Sequence, residues 1–274
     1  LLNADLHSHT NCSDGQLNPD ELITAAAEAG VQLFSITDHD TLAAYRKISV
    51  PIPSGMDLCV GIELSCVWRR MTIHVVGLNL DPESEAMCQA EKYQAKARAL
   101  RFEKIIHRLQ KAGLSIDPQQ LAKSIQGVPG RPHIAKYLVD THQVKSESKA
   151  FDRYLGQGKI GDVKECWPEL AQINKWILEA GGTAVLAHPL KYGLTRTKLM
   201  ELAIDFKQAG GRAIEVVSGQ QTRDKTIALS KIADSLNLLA SVGSDFHKPG
   251  QPWASLGKAD PLPESLTPVW SVFS

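Results

Sequence analysis

Short apolar runs and longer amphipathic stretches alternate along this 274-residue chain. Strand-like runs lie at Ala4 to His9, Leu33 to Thr37, Leu58 to Leu64, Thr72 to Leu78, Thr183 to Ala187, Ala213 to Val217 and Leu238 to Gly243, and helical patterns separate most of them. The first helix carries an explicit start: Asn18 as N-cap, Pro19 at the first helical position and Glu21 closing a capping box. The Ala-rich segment Leu22 to Ala29 follows and stops at Gly30. Similar helical units run from Thr195 to Ala209 and from Thr222 to Leu236. Strands alternating with helices predict an α/β fold with a parallel sheet. Seven of them predict a barrel closed or nearly closed on itself, with its chemistry where strands end in loops.

The alternation breaks between residues 82 and 180, where no strand pattern appears. Glu83 to Lys111 reads as one long amphipathic helix with Met87, Ala90, Ala97, Leu100, Ile105 and Leu109 on its apolar face. The predicted organisation is therefore a barrel built from residues 1–82 and 181–274, with residues 83–180 as a helical insertion over its mouth.

Composition narrows this picture. The five cysteines form no Cys-x-x-Cys pair, which argues against a cysteine zinc site, and no disulfide framework is needed at this length. A reducing compartment fits, and Cys12 is expected to be a small buried residue despite its place near the first histidines. No apolar run reaches the roughly 20 residues that span a bilayer, and no basic-plus-apolar leader opens the chain, so the expected location is cytoplasmic with no membrane contact. The net charge of zero hides an asymmetry: residues 85–165 carry 15 Lys and Arg against 9 Asp and Glu, and the flanks are acidic. A basic middle suits a phosphate-bearing substrate, but is also what a solvated helical face produces. Lys92, Lys96, Arg101, Arg108 and Lys111 are assigned to such a face, because no aromatic residues interleave with them as single-strand binding favours.

Six of the nine histidines sit in short segments that read as strand ends, accompanied by acidic residues. Strand alternation projects His7 and His9 from one face, and likewise Asp245 and His247. Glu63 follows an apolar strand, where a bare charge is costly unless paired or metal-bound. With Asp14, His39, His74 and His188 these make nine candidate ligands of the kind borderline divalent metals take, enough for three ions with one carboxylate shared. A single buried His or a lone Asp beside Gly15 has an ordinary structural reading, but nine at successive strand ends do not.

The motifs Asp5-Leu6-His7-Ser8-His9-Thr10 with Ser13-Asp14-Gly15, Thr37-Asp38-His39-Asp40, Gly61-Ile62-Glu63, His74-Val75-Val76-Gly77, Ala187-His188-Pro189 and Ser244-Asp245-Phe246-His247 resemble the successive motifs of the PHP (polymerase and histidinol phosphatase) phosphoesterases. The resemblance covers essentially the whole chain. It implies a distorted seven-stranded (β/α) barrel and a trinuclear site of manganese, iron or zinc, manganese being expected first. It further implies His7, His9, Glu63 and Asp245 around one ion, Glu63, His74 and His188 around a second, and Asp14, His39 and His247 around a third. Gly130-Arg131-Pro132-His133-Ile134-Ala135, Tyr154-Leu155-Gly156 and the insertion are similar to the branch that contains nucleoside 3′,5′-bisphosphate phosphatases and 5′-to-3′ exoribonucleases of the RNase AM type.

Phosphoryl transfer needs a nucleophile, neutralised phosphoryl oxygens and a stabilised leaving oxygen, and a metal cluster with an activated hydroxide can serve all three without a protein nucleophile. Asp38 and Asp40 flank His39 and are expected either to orient ligand histidines or to cap a helix over Thr41 to Tyr45. Arg131 offers a planar fork for a second phosphate, unless Pro132 simply starts a helix and leaves it in solvent. His133, Lys159 and Lys164 are further candidates for that phosphate, and Gln220, in Ser218-Gly219-Gln220-Gln221, for a base or sugar pocket. The expected activity is metal-dependent phosphohydrolysis of a nucleoside 3′,5′-bisphosphate or of the 5′ end of a short RNA, with no obligatory protein partner. The alternatives are a phosphomonoesterase of the histidinol phosphatase type and a noncatalytic nucleic-acid-binding module; the second would be marked by lost ligands, and none is lost.

Overall fold

A computed structural model describes residues 2–125 and 127–273. Eight strands form two sheets. The first holds β1 (Ala4–Asp5), β2 (Leu33–Phe34) and β3 (Asp57–Leu58), all parallel. The second is ordered β4 (Gly61–Trp68), β5 (Met71–Leu78), β6 (Thr183–Leu186), β7 (Ala213–Ser218) and β8 (Leu239–Gly243).

Two expectations need correction here. The run expected as a single third strand is broken at Cys59-Val60, so that β3 pairs with β2 while β4 pairs with β5. The parallel expectation also fails at β5, which is antiparallel to both β4 and β6. The cause is local: β4 and β5 are joined by Arg69 and Arg70 alone, at φ 45° and 66°. Two positive φ angles make the tight hairpin turn whose twist matches the strands, whereas a parallel crossover needs a dozen or so residues.

Backbone bonds tie the two sheets together. Leu6 N donates to Val242 O (3.0 Å), Asp245 N to His7 O (2.8 Å) and His9 N to Phe246 O (2.8 Å), which lays the end of β1 along the end of β8. On the other side, Asp40 N donates to Glu63 O (2.9 Å) and Glu63 N to Asp38 O (3.2 Å).

The helices begin where the sequence says. In α1 (Pro19–Glu28) the Asn18 side chain accepts from Glu21 N at 3.0 Å and Glu21 accepts from Asn18 N at 2.8 Å, a reciprocal cap worth about 1 kcal/mol. Its stop is Gly30 at φ 77°, a conformation glycine adopts without steric cost. The helices α7 (Arg196–Gln208) and α8 (Arg223–Ser235) cover the second sheet with Leu199, Leu202, Phe206, Leu229 and Ile232.

The described residues of 85–179 hold helices and no strand beyond an isolated bridge from Glu169 to Val67: α2 (Glu85–Lys111), α3 (Pro118–Lys123), α4 (Arg131–Asp140), α5 (Glu147–Ala150) with a π-helical turn over Phe151–Leu155, and α6 (Leu170–Glu179). Most of this segment packs on its own apolar core of Ile105, Leu109, Leu121, Ile134, Leu138 and Leu155. By contrast, α6 packs Ile173 and Ile177 into the core of the second sheet. The face of α2 differs from expectation, because Leu100 is exposed while Arg98 and Arg101 are buried. No helix among the described residues is long and apolar enough to cross a membrane. The five cysteines are free, and Cys12 is buried as expected.

Candidate metal centre

Beyond β1 the chain continues extended, and its alternation turns His7 and His9 to the same side. Glu63 and His74 lie inside β4 and β5, not at strand ends. Since Glu63 faces Val76 and Ser65 faces His74 in the ladder, the two are diagonal neighbours on one sheet face. Asp14 and His39 come from the loops after β1 and β2, His188 follows β6, and Asp245 and His247 follow β8. Asp40, His188 and Asp245 have φ of 57°, 26° and 54°, left-handed geometry costing roughly 1–3 kcal/mol at each non-glycine position.

All nine expected ligands fall in one cluster, five of the histidines around Glu63 and the rest beside those histidines. Glu63 Oε1 lies 2.9 Å from His74 Nδ1, 2.9 Å from His188 Nε2 and 3.4 Å from His7 Nε2; its Oε2 lies 2.9 Å from His39 Nδ1 and 3.4 Å from His9 Nε2. Asp245 Oδ1 is 3.2 Å from His9 Nε2 and 3.6 Å from both His7 Nε2 and His247 Nδ1. Asp14 reaches His247 Nε2 at 3.4 Å and His39 Nε2 at 3.7 Å. Three groups have ligand atoms mutually within 4.8 Å: His9, Asp14, His39 and His247; His7, His9 and Glu63; and His39, Glu63 and His74.

Burial opposes the charge on Glu63, yet His39, His74 and His7 hold its carboxyl well below the usual carboxylate range. Asp14 is held low against burial by His39 and His247, and Asp245 by Lys191 and His7. The imidazoles split. Burial, then the neighbouring His247, pushes His9 down to about 3, and burial takes His74 to about 4. Against burial, Asp14 and Asp245 lift His247 to about 9. Mutual protonation is only a partial solution, because seven buried atoms here lack any hydrogen-bond partner: His7 Nε2, both nitrogens of His9, His39 Nδ1, Glu63 Oε2, His188 Nδ1 and Glu215 Oε1. A set of imidazole and carboxylate atoms packed this closely, with several left outside hydrogen-bond geometry, fits divalent cations.

The expected orienting aspartates do other work. Asp38 accepts from Thr10 N (2.7 Å), Thr10 Oγ1 (2.5 Å) and Ser13 Oγ (2.5 Å), fixing the loop that carries Asp14, and burial raises its carboxyl to about 6. Asp40 accepts from Ser65 N (2.7 Å), Ser65 Oγ (2.9 Å) and Arg98 Nε (2.5 Å), and no helix follows over Thr41–Tyr45. The orienting carboxylate is Glu215, absent from the sequence expectation. Its Oε2 accepts from His188 N at 2.5 Å and lies 3.3 Å from His7 Nδ1. The signal was available in Ala213-Ile214-Glu215-Val216-Val217, an acid inside an apolar strand, as for Glu63. Tyr192 was also missed; its hydroxyl accepts from His74 N (2.9 Å) and donates to Ala187 O (2.9 Å). Lys191, another omission, pairs with Asp245.

Two cavities flank the cluster. The larger, about 450 Å³, is lined by His188, Ser218, Gln220, Asp245, His247 and Trp253, so Gln220 lies where expected. The smaller, about 170 Å³, reaches Asp14, His39 and His74 and contains Arg131. Arg131 is half-buried, its Nη1 donating to Leu155 O at 3.0 Å. His133 Nδ1 accepts from Gly130 N at 3.1 Å and so caps α4. Lys159 and Lys164 line a separate groove with Arg70 and Glu165, and Lys164 pairs with Asp162 at 2.9 Å, so the structure does not bring them to the cluster.

Residues 5–128 match the PHP domain. The chain is 38 % identical over 98 % of both proteins to a 5′-3′ exoribonuclease of Haemophilus influenzae. It is 36 % identical to a 3′,5′-nucleoside bisphosphate phosphatase of Chromobacterium violaceum, over 98 % of this chain and 96 % of that one. An amidohydrolase structure from Chromobacterium violaceum, holding sulfate and no metal, superposes with a TM-score of 0.88 at 35 % identity, over 99 % of this chain and 95 % of the other.

Proposed function

The chain belongs to the PHP family of phosphoesterases, and on that premise we propose that it is a metal-dependent hydrolase of nucleotide ends. It removes the 3′-phosphate of nucleoside 3′,5′-bisphosphates and cleaves 5′-phosphorylated RNA from that end. The observation that carries this reading is the clustering of six histidines with Glu63, Asp14 and Asp245, where several buried ring nitrogens and a Glu63 oxygen have no hydrogen-bond partner.

Three divalent ions, manganese before iron or zinc, would be held by His7, His9, Glu63 and Asp245, by Glu63, His74 and His188, and by Asp14, His39 and His247. When bound they supply Lewis acidity and a water of lowered pKa. The side chains' part is placement. Glu215 fixes His7 with its Nε2 left bare, and Tyr192 pins the His74 backbone. Arg131 would hold the 5′-phosphate of either substrate, while Gln220 lines the space for the rest of the nucleotide.

We read the two sheets as one distorted seven-stranded barrel with β3 and β4 as a single interrupted strand, supported by the backbone bonds at both seams. Residues 83–180 are then an insertion over its mouth, a reading supported by Arg131, Pro132 and Phe151 lining the cavities. The enzyme needs no protein partner and works in the cytoplasm.

The test is release of phosphate from adenosine 3′,5′-bisphosphate, and of mononucleotide from a 5′-phosphorylated RNA oligomer, by manganese-reconstituted protein. Activity on either supports the assignment. Metal-loaded protein that hydrolyses neither, but does hydrolyse a simple phosphomonoester, sinks it in favour of the histidinol phosphatase type.

A further inference from the structure

The larger cavity carries on its wall an aromatic ring that the fold does not use. Trp253, at 63 %, is the most exposed large hydrophobic side chain among the described residues. The other four tryptophans are occupied: Trp68 and Trp167 lie under guanidinium groups, Trp176 meets Tyr93, and Trp270 packs against the core of the second sheet. The backbone of Trp253 is nevertheless fixed. Gln220 N donates to Trp253 O at 2.9 Å, and Gly219, at φ 55°, sits so close that a Cβ there would collide with the same oxygen. Ala254 and Leu256, which follow, are buried. A single exposed apolar side chain is ordinary on any surface, but this one is held in place over a cavity that reaches the metal cluster at His188, Asp245 and His247.

The polar groups around the ring are also uncommitted. Ser218 Oγ is buried without a hydrogen-bond partner, which costs stability unless something pairs with it. Among the described residues, the exposed side chain of Gln220 makes no hydrogen bond and the exposed Lys225 forms no ion pair. A stacking ring beside cations and an amide is the combination that binds single strands, and it is what the basic face of α2 lacks. The two cavities meet the cluster on different flanks. The smaller takes in His39, after β2, and His74, in β5; the larger takes in the residues that end β6 and β8; they share only Asp14, Pro132 and Phe151. With a 5′-phosphate on Arg131 and the 3′ phosphorus at the cluster, the first nucleoside spans that shared boundary. A group esterified to the far side of the scissile phosphorus then points into the larger cavity, whose volume of about 450 Å³ takes a nucleoside.

We propose that Trp253 is a stacking platform for the nucleobase that follows the scissile phosphate, and that it is the residue by which this enzyme favours an RNA strand over a nucleoside bisphosphate. This rests on the nucleotide-end activity above and decides between its two substrates. In a nucleoside 3′,5′-bisphosphate the scissile phosphorus bears no second nucleoside, so the ring has nothing to hold. In RNA the next residue brings a base for Trp253, a ribose within reach of Ser218 and Gln220, and a further phosphate for Lys225. Stacking accepts every base, since each has a π-face, so the enzyme senses here that a residue follows and not which residue it is. Because the ring is largely in solvent, the strand can run on past it, and the length of the RNA is not limited.

The experiment measures kcat/KM of the manganese-loaded protein for a 5′-phosphorylated adenosine trinucleotide and for adenosine 3′,5′-bisphosphate. The ratio of the two is compared between wild type and variants, which cancels the different intrinsic reactivity of diester and monoester. Trp253→Ala should lower the ratio at least about fivefold, the low end of what one base–aromatic stack contributes. Trp253→Phe should keep most of it, whereas Trp253→Leu, apolar but without a π-face, should not. Melting curves establish that the variants are folded, as expected for a ring mostly in solvent. A ratio within about twofold of wild type in Trp253→Ala overturns the platform, including the case in which both activities fall together, which would set the ring against the first nucleoside. Failure of the underlying reading is seen separately. If the metal-loaded wild type hydrolyses neither substrate, the nucleotide-end assignment falls and fluorescence decides the platform: the trinucleotide should quench part of the tryptophan emission of wild type but not of Trp253→Phe, and no such difference overturns it.

Discussion

Replacing Glu215 separates the placement of ligands from their chemistry. The residue contributes no ligand atom to the three clustered groups, yet its Oε2 accepts from the His188 amide at 2.5 Å and lies 3.3 Å from His7 Nδ1. Glu215→Ala leaves the buried His188 N–H without an acceptor, a cost of about 1–3 kcal/mol, at a residue already strained at φ 26°. It also frees the His7 ring to turn and to place its proton on either nitrogen. Losing a group of this kind lowers metal affinity by about 10- to 100-fold, or roughly 1.4–2.7 kcal/mol. Glu215→Gln can keep an oxygen where Oε2 now sits and so preserve both contacts, losing the charge alone; its affinity should fall less than that of the alanine variant. Manganese retained per chain after equilibration with graded chelator measures this, with melting curves to establish that each variant is folded. A folded Glu215→Ala protein binding metal within about threefold of wild type would refute the argument that Glu215 positions His7 and His188.

Two other outcomes follow from the same geometry. Asp40→Asn strips the partner from Arg98, which is 7 % exposed, and leaves a buried cation; chemical denaturation should show a loss of about 3–5 kcal/mol, recovered in part by the double variant Asp40→Asn, Arg98→Met. The metal-stripped protein should be most thermostable near pH 6.5. His247, raised from 6.5 to about 9, contributes stability that is full below 6.5 and lost as pH rises through 9, and His7 and His39, also raised, act in the same direction. His9 and His74, lowered to about 3 and about 4, resist protons that the unfolded chain accepts, so stability also falls as pH drops below 6.5. A melting temperature that keeps climbing from pH 6.5 to 9 after chelation would contradict this.

The clustering of these nine side chains was legible in the sequence because acids and histidines near the ends of apolar runs have few innocent explanations. The sequence made α1 legible because Asn18, Pro19, Glu21 and Gly30 each act within one turn of the backbone. It misjudged what depends on tertiary neighbours. Asp38 and Asp40 flank His39, but the side chains that meet them, Thr10, Ser13, Ser65 and Arg98, come from other segments. Arg101 carries the charge of a surface residue, and only the packing of Trp167 against it makes it an interior one. Glu215 was hidden by its own strand, although the reasoning applied to Glu63 would have found it. The reversal of β5 rests on two arginines in left-handed conformations, residues whose identity gives no warning of a turn.

The seam between β1 and β8 joins residues about 240 positions apart, through Leu6 to Val242, His7 to Asp245 and His9 to Phe246. Contacts of such sequence separation are slow to form, since most of the chain must be ordered before they are rewarded. His7 and His9 are synthesised well before Asp245, so the side chains of this cluster meet only once the chain between them has been made and the seam has closed. The seam is thus the step at which the two halves of the cluster become one site, and a cut or strain anywhere that opens it would scatter His7 and His9 from Asp245 without touching any of the three.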